Sequence, residues 1–350
     1  MNINEKQKKL LSLVLENSLM SSSAIHSIFI KSGEGISLVT VKRALSEMTK
    51  SKLLKISGSG PSTSYEISEL GRIFIPIDAK KYCAIEPDKR YGLNRYNFNL
   101  LTSLPSEIFT QDEIKSLEAA TEKYEKRTRD LSDVIRKKEL ERLVIELAWK
   151  SSKIEGNTYT LLDTERLILE QKEAVGHEKK EADMILNHKD AFNFIYQSKD
   201  QFQTLTRANL EKLHEILVKN LSIDIGLRRK PVGVVGSKYQ PLDNGYQISE
   251  AVEALSGAIS KVESSFAKAL IAILGISYIQ PFEDGNKRTS RLMANALLLA
   301  NQKAPLSYRS VDENEYREAI LVFYEINSII PFKKIFIDQY EFAAANYAVK

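Results

Sequence analysis

Two apolar runs, Ala269–Ile279 and Leu292–Ala300, are separated by Gln280-Pro-Phe-Glu-Asp-Gly-Asn-Lys-Arg-Thr-Ser-Arg291. No other stretch constrains the fold as tightly. It reads as helix, tight polar loop, helix. Gly285 permits a sharp backbone path at the turn. Asn286 stands where the second helix starts, a favoured capping position. The N-terminus of that helix offers free N–H groups and the positive end of a dipole, which together attract an anion. Arg288 and Arg291 are three residues apart and share one face. A helix start with two arginines suits a polyphosphate. Asp284, just ahead, is placed to hold a divalent metal bridging phosphate oxygens. The loop is therefore a candidate nucleotide-phosphate cradle. The plainer reading is a capped helix turn with surface arginines.

At 350 residues the chain has room for two or three domains, and 43% hydrophobic residues can fill their cores. The net charge of +4 is uneven. Residues 1–76 hold ten Lys/Arg against six Asp/Glu, and the rest holds forty of each. The basic excess thus belongs to the N-terminal segment and hints at an acidic partner for it. The single cysteine, Cys83, has no internal disulfide partner, which fits a reducing compartment. The charged start lacks a signal-peptide apolar core, and no apolar run reaches the roughly 20 residues of a membrane span. A soluble, cytoplasmic protein with no membrane partner is expected.

The first 76 residues read as three helices and a hairpin. Leu10, Leu11, Leu13 and Val14 line the first helix, and Ser21–Ser23 cap the second. Ser37 caps a third that carries Val41, Leu45 and Met48 on one side. Leu54–Ser57 and Ser64–Ile67 flank the turn Gly58-Ser-Gly-Pro61 as a short hairpin. That order is the one of a winged helix-turn-helix domain, whose third helix enters the major groove. Lys42, Arg43 and Lys50 would be its DNA contacts. A protein-docking module with a solvated basic face is the alternative.

Residues 77–109 read as a linker and loop region. Its pattern Arg90-Tyr-Gly-Leu-Asn-Arg-Tyr-Asn97 suggests no chemistry by itself. Helices follow over Thr110–Leu131, Leu140–Trp149, Leu161–Leu169, His177–Tyr196 and Thr206–Asn220. Further helices are expected over Ile248–Glu263, Ser265–Ile279, Asp312–Asn327 and Pro331–Tyr347. His177, His188 and His214 have no metal-ligand pattern near them and read as surface or packing residues. Val232, Val234 and Val235, bounded by glycines, predict a β-hairpin.

The central loop resembles the signature of the Fic family, His-x-Phe-x-Asp/Glu-Gly-Asn-Gly/Lys-Arg-x-x-Arg. Phe282, Asp284, Gly285, Asn286, Lys287, Arg288 and Arg291 match it at the correct spacing. The first position departs from it: the family's catalytic histidine is Gln280 here. Ser151, Glu155 and Gly156 resemble the family's inhibitory motif, Ser/Thr-x-x-x-Glu-Gly/Asn, whose glutamate pairs with the last arginine of the signature. Gly226, Arg229, Val232, Val234, Gly236 and Ser237 resemble the family's flap, which holds the target segment by strand addition. The resemblance spans about residues 85–345.

It implies a mainly α fold: a Fic/Fido helical core with a β-hairpin flap, behind the winged helix. The expected boundaries are 1–76 for the winged helix, 77–109 for the linker, and 110–350 for the Fic domain with its inhibitory helix. The implied activity is transfer of AMP from ATP to a protein hydroxyl. Asp284 would hold Mg²⁺, and Gly285, Asn286, Arg288 and Arg291 the nucleotide phosphates. The implied partner is a protein target, the chain itself among the candidates, and a homo-oligomer is compatible with the reading. The family histidine takes the proton of the attacking hydroxyl, and a glutamine amide has essentially no basicity near neutral pH. The expectation is an adenylyltransferase self-inhibited by Glu155 and impaired by Gln280. A nucleotide-binding pseudoenzyme that regulates the winged helix is the main alternative. Removal of AMP, with Glu155 positioning water, is a weaker third reading.

Overall fold

The computed structural model of the chain describes residues 3–33 and 35–349. Helix α1 (Glu5–Asn17) starts at Asn4, whose side chain accepts from the Gln7 N–H while Gln7 accepts from the Asn4 N–H. Strand β1 (Met20–Ser21), helix α2 (Ser22–Lys31) and helix α3 (Leu38–Lys50) follow. Ser21 and Ser37 cap the two helices, each accepting a backbone N–H. Strands β2 (Leu54–Ser57) and β3 (Ser64–Ile67) pair with Leu54 opposite Ile67 and Ser57 opposite Ser64. The two-residue β1, which the sequence did not signal, joins the far side of β3 in the antiparallel order β1-β3-β2. Val41, Leu45 and Met48 of α3 face inward, leaving Lys42, Arg43 and Lys50 exposed.

Helices α4 (Glu69–Phe74) and α5 (Ala79–Cys83) lead into an irregular stretch. This stretch is loop, as its prolines imply, but it is packed rather than free. Tyr82, Leu100, Leu101, Ile108 and Phe109 are buried in the same apolar cluster as the N-terminal helices.

The rest of the chain is helical: α6 (Gln111–Arg129), α7 (Asp133–Ile154), α8 (Leu161–Glu170), α9 (Lys179–Gln197), α10 (Arg207–Leu217), α11 (Gly245–Ser260), α12 (Ser265–Ile279), α13 (Asn286–Ala300), α14 (Glu313–Ile326) and α15 (Ile330–Asn346). The α12–α13 pair is the centre. Every residue of α12 except Lys268 is buried, as is every residue of α13 from Asn286 to Leu299 except Lys287. Helices this apolar on all sides must be wrapped. α11 and α14 pack on α12, while α7, α9 and α10 pack on α13. The polar turn joining the pair is thereby held at the end of a rigid core. Among the described residues, no helix is long and apolar enough to cross a membrane.

Residues 226–245 do not form the expected β-hairpin. They carry no strand, only an isolated bridge from Gln240 to Arg95. The valines supply strand propensity, but each arm is claimed elsewhere. The Arg228 N–H donates to the Pro281 carbonyl at 2.9 Å, and the Gln240 N–H to the Asn94 carbonyl at 2.9 Å. Each arm is thus bonded to a different neighbour and not to the other.

Candidate functional site

The turn between α12 and α13 is built by side chains that bond its own backbone. Gln280 ends α12 in the left-handed region, at φ 51° and ψ 59°. Gly285, at φ 79°, is the residue that caps α13, and Asn286 is its first residue. Asn286 is therefore not the cap. Its carboxamide folds back instead, accepting from the Phe282 N–H at 2.8 Å and donating to the Phe282 carbonyl at 2.8 Å. Phe282 is fully buried and stacks on the His214 ring, with centroids 3.7 Å apart and planes 5° off parallel. His214 Nε2–H donates to the Asp284 carbonyl at 3.0 Å. The loop is thus clamped from both sides before any ligand arrives.

Gln280 is part of the same clamp. Its Oε1 accepts from Asn286 Nδ2 at 2.9 Å, and its Nε2 donates to the Ser277 carbonyl at 2.7 Å and to the Tyr324 hydroxyl at 3.2 Å. The amide is turned into the fold and spends its donors and acceptor there.

Arg291 and Arg288 are both buried but differ in what they hold. Arg291 Nε and Nη2 donate to the Ser151 hydroxyl and carbonyl, each at 2.8 Å. Nη2 also donates to Glu155 Oε1 at 3.0 Å, and the guanidinium lies 5.4 Å over the Tyr316 ring. Lys287 Nζ reaches Glu155 Oε2 at 3.4 Å. Burial alone would raise the Glu155 carboxyl; the charges of Arg291 and Lys287 overturn this and hold it below the usual range. Burial likewise works against the Arg291 charge, but Tyr316 and Glu155 hold its pKa above the ordinary value. For Arg288 burial wins and lowers it, because its one anionic contact, Asp284 Oδ2 at 3.4 Å, is long and exposed. Arg288 Nη1 is buried with no partner among the described residues. That is a donor in want of an acceptor.

Glu155, Val232–Val235, Gln280 and Asp284–Arg288 line one cavity of about 190 Å³. Arg291 does not line it, because Ser151 and Glu155 cover it. A second cavity, of about 360 Å³, opens beside the first between Glu155, Val234, Ile320 and Tyr324. Asp284 Oδ1 accepts from the Gly285 N–H at 2.6 Å, and Oδ2 faces Arg288 Nη2 at 3.4 Å on a side chain that is largely exposed. Among the described residues no cluster of three His, Cys, Asp or Glu side chains exists that could cage a metal. A single carboxylate suits Mg²⁺ shared with phosphate and water oxygens.

The other residues singled out in the sequence scatter. Gly156 adopts φ 96° at the end of α7, where an added Cβ would meet nothing within 4 Å. Outside the cradle lining, the Gly236 carbonyl accepts from Arg90 Nη1 at 2.9 Å and the Ser237 hydroxyl donates to Glu325 Oε1 at 2.6 Å. Lys42, Arg43 and Lys50 stand on α3, away from the cavity lining, and Arg43 pairs with Glu47 at 3.1 Å. His188 and His214 are fully buried packing residues, and both are held neutral. Burial pushes His214 down to about 4, and burial with Arg291 and Arg288 pushes His188 well below its usual value. His177 is partly buried against Thr158 and Glu181.

One residue the sequence reading passed over is central. Arg228, not the exposed Arg229, anchors the valine segment: its Nε donates to the Gln280 carbonyl at 2.6 Å, Nη1 to the Lys230 carbonyl at 2.8 Å, and Nη2 to the Leu242 carbonyl. Adjacent arginines with no periodicity around them give no signal of which is buried.

Residues 204–298 match the family model described as Fic/DOC family. It is similar to proteins named "Protein adenylyltransferase Fic" from Nematostella vectensis, 29% identical over 175 residues, and Drosophila yakuba, 31% identical over 189 residues. These matches cover 49% and 53% of this chain and 41% and 38% of those proteins, so well under half of each relative is spanned. Over part of its length its fold is similar to that of a Fic domain containing signaling protein from Bacteroides thetaiotaomicron (TM-score 0.56, 19% identity, 66% of this chain and 94% of that one). It is likewise similar to that of Fic-1 (aa134–508) from C. elegans (TM-score 0.57, 18% identity, 67% and 71%).

Proposed function

We propose that the turn between α12 and α13 binds ATP with Mg²⁺, and that its chemistry is transfer of AMP to a protein hydroxyl, restrained twice in this chain. One observation carries the reading. The Asp284 carboxylate, the N-terminus of α13 and the unpartnered Arg288 donor converge on a single cavity, and Arg291 lies next to it under the Glu155 carboxylate. A buried guanidinium with an unmet donor is costly unless an acceptor completes it.

In that reading Asp284 holds the metal, which supplies charge neutralisation to the phosphates when bound. The N–H groups of the first turn of α13 face the α-phosphate, where charge develops. Arg288 takes outer phosphate oxygens, and so does Arg291 once Glu155 leaves it. The apolar cavity beside Ile320 and Tyr324 suits the base. The target's hydroxyl oxygen bonds to the α-phosphorus, the bond to the bridging oxygen breaks, and pyrophosphate departs with its electrons. The hydroxyl proton then needs an acceptor. Gln280 offers none, since its Oε1 already accepts from Asn286. Val232–Val235, whose backbone is unpaired on one edge, would hold the target by strand addition.

The engaged Gln280 amide favours a second reading, a nucleotide-binding module without catalysis. Residues 1–76 are read as a winged helix-turn-helix domain, 77–109 as its connection and 110–350 as the Fic unit with its inhibitory helix. The exposed α3 face, with Lys42, Arg43 and Lys50, would bind DNA, and nucleotide occupancy would regulate it. Cys83, unpaired and half buried, fits a reducing cytoplasm. Labelled-ATP transfer separates the two. A Gln280→His protein with Glu155→Gly that binds ATP and modifies protein supports the enzyme reading. Binding without any transfer supports the module. Calorimetry showing no ATP binding even with Glu155 replaced would sink both.

A further inference from the structure

We propose that Arg90 and Glu325 position the valine segment over the phosphate cradle, making Arg90 a positioning residue for target binding. This rests on the proposed role of that segment in holding the target chain.

Arg90 belongs to the pattern 90–97, which the sequence left without a role. It is buried, and all three of its nitrogens are used. Nε donates to the Ile85 carbonyl at 2.8 Å and Nη2 to the Cys83 carbonyl at 2.9 Å. Nη1 donates to the Gly236 carbonyl at 2.9 Å and to Glu325 Oε1 at 3.1 Å. Glu325 is fully buried on α14. Its Oε1 also accepts from the Ser237 hydroxyl at 2.6 Å, and its Oε2 from the Tyr82 hydroxyl at 2.7 Å. A buried ion pair is tolerable only when its remaining donors and acceptors are met. Here two of the groups that meet them, the Gly236 carbonyl and the Ser237 hydroxyl, come from the end of the valine segment.

The residues after Arg90 fix the pair itself. Gly92, at φ 103°, runs so close to α14 that a Cβ there would stand 2.4 Å from the Glu325 carbonyl oxygen. The Leu93 N–H donates to that oxygen at 2.6 Å. Asn94 accepts from the Gln240 N–H, and Tyr96 stacks 4.9 Å from Tyr278, two residues before Gln280. Asn97 closes the run on Glu69 of α4 at 2.6 Å and on Asn327 at 3.0 Å.

The segment is therefore pinned twice. Arg228 ties its start to the Gln280 carbonyl, and Arg90 with Glu325 ties Gly236–Ser237 to α14. Among the described residues, Val232, Gly233 and Val235 make no hydrogen bond, and Val234 accepts only from the Ser237 N–H at 3.3 Å. An edge free to pair, held at both ends, is what strand addition requires.

Hydrogen exchange on the full chain tests this without reference to catalysis. Arg90→Met should speed exchange of the Ser237 and Gln240 amides at least tenfold, while residues 286–299 keep their protection. With Gln280→His and Glu155→Gly present, Arg90→Met should lower self-labelling from ATP at least tenfold, with the ATP dissociation constant changed less than twofold. Ser237→Ala, which removes one bond to Glu325, should act in the same direction more weakly and serves if Arg90→Met loosens the whole chain. Unchanged exchange at Gln240 in both variants overturns the proposal. So does a loss of ATP affinity equal to the loss of labelling. If the parent binds no ATP, the nucleotide reading fails, and the exchange arm alone still decides whether Arg90 positions the segment.

Discussion

Arg291 Nη2 and Glu155 Oε1 meet at 3.0 Å, joining the middle of α13 to the end of α7 with the arginine wholly buried. The carboxylate holds the guanidinium that an outer phosphate would otherwise take, and its own charge repels that phosphate. Removing Glu155 strands a buried cation. Glu155→Gly is expected to lower stability by about 3–5 kcal/mol. It should then respond more to ATP, which returns an anion to Arg291. Thermal melts with and without Mg–ATP check this: the ligand-induced rise should be larger in the variant than in the parent.

The same contact and Gln280 are separate obstacles to transfer. Glu155→Gly alone should leave AMP transfer very low, because no base is restored. Gln280→His supplies one, worth roughly 10²–10⁴-fold. The double variant should exceed the sum of the singles by a wide margin in a labelled-ATP assay. Strong transfer by Glu155→Gly alone would refute the view that Gln280 disables the chemistry.

Asp284 is the most exposed of the three carboxylates that line the cradle cavity among the described residues, with a side chain 69% exposed against 29% for Glu283 and 19% for Glu155. Asp284→Ala should weaken the Mg²⁺-dependent part of ATP binding by at least roughly tenfold, and leave binding without metal little changed. Calorimetry with Mg²⁺ and with EDTA separates the two.

Acid should loosen the fold through its buried histidines. The folded His214 pKa of about 4 lies below the ordinary 6.5. Between those values the unfolded chain binds a proton that the folded chain refuses, so stability falls as pH drops from about 6.5 toward 4. The full span is worth about 3.5 kcal/mol at about 1.4 kcal/mol per unit, and His188 acts in the same direction. His214→Gln should flatten this slope in urea melts between pH 7 and 4.5. An unchanged slope would remove His214 as a cause.

The proposed DNA contacts Lys42, Arg43 and Lys50 predict a salt dependence. Three phosphate contacts should cost roughly 40-fold in DNA affinity between 50 and 200 mM salt. The Arg43–Glu47 pair competes with one of them, so Glu47→Gln should strengthen binding. A gel-shift series with no binding at low salt would leave protein docking as the role of this face.

Much of the architecture was written locally. Ser21, Ser37, Thr110 and Ser264 cap helices where the sequence placed helix starts, because a capping side chain needs only its own next turn. The β2–β3 hairpin needs only its Gly/Pro turn, and the α12–α13 pair only its two apolar runs. Ser151, Glu155 and Arg291 were readable together only through their resemblance to two motifs of the Fic family. What the sequence by itself could not determine is who competes for a group. Strand propensity at Val232–Val235 lost to Arg228 and Asn94, which lie outside the segment. Asn286 gave up the capping position because Gly285 takes the left-handed backbone more cheaply and Phe282 offers its amide. Arg228 was indistinguishable from Arg229, and Arg90 from any loop arginine, until the chain closed over them. Each of these outcomes depends on partners from 4 to more than 230 positions away. Only the folded chain decides which of them arrives first at a buried donor or acceptor, because only there is water absent and every unmet bond costly.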